Sequence, residues 1–130
     1  MGTLAMDKIV WVGMGGFCGA IARYWVSGLV MRFSHYFPLG TLTVNSLGSL
    51  VLGFIMTLVS ETLLISPNMR LLLAVGFLGS FTTFSTFAYE TNALIEGGAF
   101  WLAFLNVALS LFLGLLGVRL GILAAKTFVL

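Results

Sequence analysis

One stretch decides the fold: Gly76-Phe77-Leu78-Gly79-Ser80-Phe81-Thr82-Thr83-Phe84-Ser85-Thr86-Phe87-Ala88-Tyr89-Glu90. It lies inside an apolar segment, yet two glycines followed by serine and β-branched threonines make a poor helix centre. A helix interrupted near Gly79–Thr82 is expected. Non-helical backbone at membrane depth persists only where it is buried in protein or faces a watery cavity, because freed carbonyls otherwise lack partners. Such carbonyls are natural cation ligands. Beyond the break, Phe84 and Phe87 share a helical face, Thr83 and Thr86 form a second i,i+3 pair, and Ser85 lies between them. A phenyl ring has a negative face and a positive edge, so rings turned edge-on to a narrow path attract a small anion. Neighbouring hydroxyls replace water donors. The same residues also suit a helix of packed aromatics and satisfied hydroxyls, and composition leaves both readings open.

Around this stretch the chain is 60% hydrophobic and 8% charged over 130 residues, against about 25% charged residues in soluble domains. Its mean hydropathy of +1.14 exceeds what one small core can hide, and a bilayer provides the missing apolar surroundings. Four segments match the length of a membrane span: 7–31, 38–60, 69–95 and 99–125. The separators are Arg32–Phe37 with His35, then Glu61–Asn68 with Ser66-Pro67-Asn68, then Gly97-Gly98. Such short connections make consecutive helices antiparallel and put both termini on one side. The fold class is therefore an all-α membrane protein, a single transmembrane domain over residues 1–130. The first apolar stretch continues past Trp25 with no small-residue cleavage site and reads as a retained span rather than a signal peptide.

Charge excludes some functions. The six basic residues, Lys8, Arg23, Arg32, Arg70, Arg119 and Lys126, form no polybasic run, so no nucleic-acid partner is indicated. Lys8, Arg70 and Lys126 fall on the terminal side, and Arg32, with Arg23 if it reaches that far, on the other. That bias is too weak to fix an orientation, which leaves insertion both ways open. Cys18 is the lone cysteine and cannot form an intramolecular disulfide.

Small residues mark helix contact faces, because close packing and interhelical hydrogen bonds hold helices together in lipid. Gly15-xxx-Gly19, Gly16-xxx-Ala20, Ser110-xxx-Gly114 and Gly117-xxx-Gly121 fit that rule. Polar groups inside the spans are candidates for function. Arg119 is most simply a snorkelling residue, and Arg23 either snorkels or faces the bundle. Asn45 has Thr41 and Ser49 at i−4 and i+4, and Asn106 heads a stripe through Ser110 and Gly114. Both asparagines serve equally as interhelical glue or as a polar lining.

With these residues in view, the chain resembles the Fluc, or CrcB-type, fluoride channels of bacteria and other microbes. The resemblance runs along essentially the whole chain. It is carried by Gly19-Ala20-Ile21-Ala22-Arg23-Tyr24, by Gly40 to Ser49 around Asn45, and above all by Thr82-Thr83-Phe84-Ser85-Thr86-Phe87 with Glu90 following. It implies a fluoride-selective channel in the bacterial inner (plasma) membrane, exporting fluoride passively, built as an antiparallel dual-topology homodimer with two pores and a structural sodium ion at its centre. By resemblance, Phe84 and Phe87 are the pore phenylalanines, Asn45 is the pore amide, Ser85, Thr86 and Ser110 line a polar track, and Arg23 stands at the vestibule. Main-chain carbonyls of Gly79 and Thr82 would hold the sodium. One departure is Ser80-Phe81, where Gly-Leu or similar is expected.

Fluoride is small and strongly hydrated, so a selective path must supply replacement donors and a constriction. No covalent chemistry, and hence no enzyme, is implied. The main alternative is a small multidrug-type proton-coupled transporter, which requires a membrane-embedded carboxylate. The acids here are Asp7, Glu61, Glu90 and Glu96, near segment ends apart from the more interior Glu90. An assembly subunit without transport would explain the small-residue faces but not the Phe/Ser/Thr run beside a break.

Overall fold

The computed structural model of the chain describes residues 2–34 and 36–129; His35, in the first separator, lies outside them. The described residues fold into helices joined by short turns: α1 (Gly2–Met31), α2 (Leu39–Glu61), α3 (Pro67–Arg70), a π-helix (Leu71–Leu78), α4 (Gly79–Phe81), α5 (Phe84–Glu96) and α6 (Phe100–Val129). Four helices are long and apolar enough to cross a membrane, over Met6–Met31, Leu39–Glu61, Pro67–Glu96 and Phe100–Val129. The protein is a multi-pass membrane protein.

The boundaries follow local chemistry. Ser66 opens the third segment by accepting the Met69 N–H at 3.2 Å, with Pro67 in the first turn where its missing N–H is harmless. Gly98, at φ +74°, makes the turn after α5 in the left-handed region that suits glycine. The fourth helix runs past the expected 99–125 to Val129, and on that extra turn Lys126 pairs with Glu61 of α2 at 3.8 Å.

That ion pair joins the C-terminal ends of α2 and α6, so these two helices run parallel. Their contact is built on glycine. A Cβ added at Gly121 would collide with the Leu50 carbonyl and lie 2.8 Å from the Phe54 amide, one at Gly117 would lie 3.0 Å from the Ser46 carbonyl, and Gly53 abuts the Val118 backbone. The first and third segments pair in the same way. Gly15 lies against the Leu72 carbonyl, Gly19 against that of Phe77, and Gly76 faces Val12 and Gly15 in return. The stripes Gly15-xxx-Gly19 and Gly117-xxx-Gly121 thus lie at the closest helix contacts, as their spacing leads one to expect. Sequence-adjacent helices alternate in direction, and the tightest contacts join the parallel pairs.

The sequence gives no sign of the π-helix over Leu71–Leu78. Its hydrogen bonding changes at Leu78. Gly79 itself is helical, at φ −61° and ψ −30°. The helix ends at Phe81, Thr82 and Thr83 are extended, with ψ of 156° and 118°, and helix resumes at Phe84. The irregular backbone therefore sits on the two threonines and not on the glycine. A small core of Val44, Ile55, Leu78 and Phe81 packs beside it.

Candidate functional site

Threonine chemistry shapes the site. Thr82 Oγ1 donates to the Leu78 carbonyl at 2.9 Å and closes the end of α4. Thr83 opens α5 as its N-cap, its Oγ1 accepting the Thr86 N–H at 3.3 Å. The same hydroxyl donates to Thr86 Oγ1 at 3.0 Å and lies 3.4 Å from Ser85 Oγ. Three hydroxyls from one turn therefore form one cluster.

Asn45 of α2 clasps the extended backbone from the side. Its Nδ2 donates to the Thr83 carbonyl at 3.0 Å, and its Oδ1 accepts the Thr83 N–H at 2.8 Å. Both polar groups of one peptide-bonded residue are satisfied by one side-chain amide. This substitutes for helical bonds, since backbone groups stranded in a membrane otherwise lack partners. Gly48, one turn along α2, makes room: a Cβ there would collide with the Thr82 methyl.

The clasp and the Thr83 cap each redirect one N–H group. In a continuous helix the Thr83 N–H would meet the Gly79 carbonyl; here it goes to Asn45. The Thr86 N–H would meet the Thr82 carbonyl; here it goes to Thr83 Oγ1. The Gly79 and Thr82 carbonyls thus lose their helical donors. Neutral oxygens of this kind suit a hard cation such as sodium.

Phe84 and Phe87 emerge one turn apart, ring centroids 5.7 Å apart and planes tilted by 47°. Phe84 is 79% exposed on the single chain, and Phe87 is half-buried. Two cavities meet at Thr83. One, of about 320 Å³, is lined by Asn45, Ser49, Gly79, Thr82, Thr83 and Phe84 among others. The second, of about 340 Å³, brings Arg23 of α1 together with Ser27, Thr41, Val44, Thr83 and Thr86. Arg23 thus reaches the hydroxyl cluster's cavity.

Ser110, Ser85 and Phe87 line neither cavity. The Ser110 Oγ is nonetheless buried with no hydrogen-bond partner among the described residues. Two further contacts escaped the sequence reading of the site. Thr41 Oγ1 donates to Glu90 Oε1 at 2.9 Å, and Asn106 Nδ2 donates to Thr91 Oγ1 at 2.9 Å. The i,i+4 stripe had marked Thr41, and Asn106 had stood out as an intramembrane amide. Nothing in the sequence marked Thr91.

Compared with known proteins, residues 10–122 match the family described as CrcB-like protein, Camphor Resistance (CrcB). The chain belongs to the CrcB-like family. Relatives of this CrcB-like chain carry the name fluoride-specific ion channel FluC. One from Geobacter sulfurreducens is 46% identical, with 93% of this chain and 98% of the relative covered. One from Chlorobaculum tepidum is 47% identical, covering 95% of this chain and 98% of the relative. An archaeal one, from Pyrococcus horikoshii, is 43% identical over 87% of this chain and 91% of its own length. Family and spans together account for the multi-pass membrane location.

Proposed function

We propose that this chain is a fluoride-selective channel. The observation that carries the proposal is the clasped break: Asn45 holds both polar groups of Thr83, and directly beyond it α5 presents the Phe84 and Phe87 rings beside the hydroxyls of Thr83, Ser85 and Thr86. Hydroxyl and amide donors replace water around a small anion, ring edges attract it without holding it, and Arg23 adds positive charge at one cavity. The Ser110 hydroxyl, buried and without a hydrogen-bond partner among the described residues, is one further donor that would have to be uncovered to meet an ion. The names of the relatives point the same way.

Flow is passive and uncoupled in this proposal, and it lowers cytoplasmic fluoride. Two copies insert in opposite orientations and pair across the third segment. The freed Gly79 and Thr82 carbonyls fit sodium as a structural ion; when bound, it supplies positive charge that offsets anion repulsion nearby. The family match lends no support to the small multidrug-type alternative.

The test is ion flux from liposomes holding the purified full-length chain, comparing fluoride with chloride, with and without a pH gradient. The expected result is electrogenic fluoride efflux that exceeds chloride efflux and needs no pH gradient. Efflux no faster than from protein-free vesicles rejects the channel, and electroneutral efflux that depends on a pH gradient rejects uncoupled flow.

A further inference from the structure

The helix α5, which carries both phenylalanines, has no buried residue of its own. It packs half-buried against α6, and polar ties add direction to that contact. Among the described residues, every side-chain hydrogen bond joining distant parts of the chain ends on residues 83–91: Asn45 with Thr83, Thr41 with Glu90, and Asn106 with Thr91. The first two ties come from α2, one helical turn apart. Two points on one neighbour fix a line, and a rod held along a line still rolls about it. The third tie comes from α6, off that line.

That third tie reaches the pore residue's own backbone. Thr91 Oγ1 donates its single proton to the Phe87 carbonyl at 2.7 Å, and accepts from Asn106 Nδ2 at 2.9 Å. With the hydroxyl proton committed to Phe87, the partner must be a donor. An amide meets that demand, and neither an ionised carboxylate nor an apolar side chain does. Asn106 is itself only 1% exposed, held in the core of the bundle, so its amide is a firm anchor.

We propose that Asn106, acting through Thr91, is a positioning residue that fixes the roll of α5 and so aims the Phe84 and Phe87 rings. This rests on the pore reading above. Neither Asn106 nor Thr91 touches the ion. Losing the tie lets the rings turn, which degrades fluoride selectivity while the glycine-packed helix pairs stay assembled.

The test measures fluoride and chloride efflux from liposomes for wild type, Phe87→Ile, Thr91→Val, Thr91→Ser, Asn106→Leu and the Thr91→Val/Asn106→Leu double variant, each checked for unchanged gel-filtration elution. Thr91→Val is expected to lower the fluoride-to-chloride flux ratio about tenfold, equivalent to about 1.4 kcal/mol, while Thr91→Ser, which keeps the hydroxyl, stays within about twofold of wild type. Asn106→Leu matches Thr91→Val, and the double variant is no worse than either single one, because both break one tie. If Asn106→Leu does not assemble, Thr91→Val against Thr91→Ser carries the test alone. A wild-type ratio in Thr91→Val, or equal loss in Thr91→Ser and Thr91→Val, overturns the proposal. The controls separate the two levels. Loss in Phe87→Ile with no loss in Thr91→Val rejects the positioning role alone, whereas absence of fluoride flux in wild type rejects the pore beneath it.

Discussion

Asn45→Asp is the most informative single change, because the structure separates what it keeps from what it loses. The new side chain still offers an oxygen to the Thr83 N–H, now bonded at 2.8 Å. It no longer offers the N–H that reaches the Thr83 carbonyl at 3.0 Å, and an ionised oxygen would face that carbonyl instead. Leaving one backbone acceptor unsatisfied costs about 1–3 kcal/mol. The added charge acts on the ion as well. For an anion passing within about 4 Å, repulsion at an effective dielectric of about 20 is about 4 kcal/mol. At about 1.36 kcal/mol per tenfold, that alone slows passage roughly a thousandfold.

Asn45→Ala is the comparison. It removes both clasp bonds and adds no charge, so its defect reports the clasp alone. Fluoride efflux from liposomes, measured with a fluoride electrode on variants matched for gel-filtration elution, is expected to rank wild type first, Asn45→Ala second and Asn45→Asp last by a wide margin. If Asn45→Asp conducts as well as Asn45→Ala, charge at this position does not act on the permeating ion. If both conduct like wild type, the clasp has no part in conduction.

Phe84→Ile and Phe87→Ile keep bulk but remove the electropositive ring edge, and each is expected to lower fluoride efflux at least about tenfold with assembly intact; unchanged efflux in both rejects the ring assignment. Gly121→Leu drives a side chain into the Leu50 carbonyl, and overpacking of this kind destabilises by about 1–3 kcal/mol or more, read as a lowered Tm or loss of the monodisperse elution peak. Prolonged dialysis of Na⁺ against a larger cation is expected to weaken the dimer or its flux, and equal activity in both salts after exchange counts against carbonyl-bound sodium. For orientation, Cys18→Ser with one cysteine added at the N-terminus is labelled on intact cells by an impermeant reagent. About half of the protein reacts if insertion is evenly dual, and labelling of nearly all or nearly none rejects dual topology.

The spans were legible because about 20 consecutive apolar residues have few other uses, and the glycine stripes because i,i+4 small residues let backbones approach. An interruption is expected near Gly79–Thr82, and the structure has extended backbone at Thr82 and Thr83 within the span Pro67–Glu96. Glycine weakens a helix without ending it, and Gly79 stays helical. The helix ends at the extended Thr82, and the Thr83 hydroxyl caps the next helix while its peptide groups turn to Asn45. That exchange depends on a side chain 38 positions away, and no local pattern encodes such a partner. Thr91 was silent for the same reason: its hydroxyl bonds backwards to Phe87 like many helical threonines, and only the fold brings Asn106 to its other side.

Two kinds of adhesion divide the labour in this chain, and the division bears on why a second copy is proposed. Glycine contacts bring the parallel helix pairs so close that a Cβ at Gly15, Gly19 or Gly121 would collide with the facing backbone. The α5 segment contains no glycine and buries no residue of its own, and directional hydrogen bonds hold it at three points. Its outer side remains uncovered in the single chain: Phe84 and Tyr89 are 79% and 75% exposed, and Ser85 is exposed between them. Aromatic rings are at home in lipid, but the exposed Ser85 hydroxyl is costly there without a polar partner. Protein or water on this side would provide one. In the proposed dimer a second copy meeting the first across the third segment would supply that cover, so the exposed side of α5 favours the proposal more than the weak charge bias does.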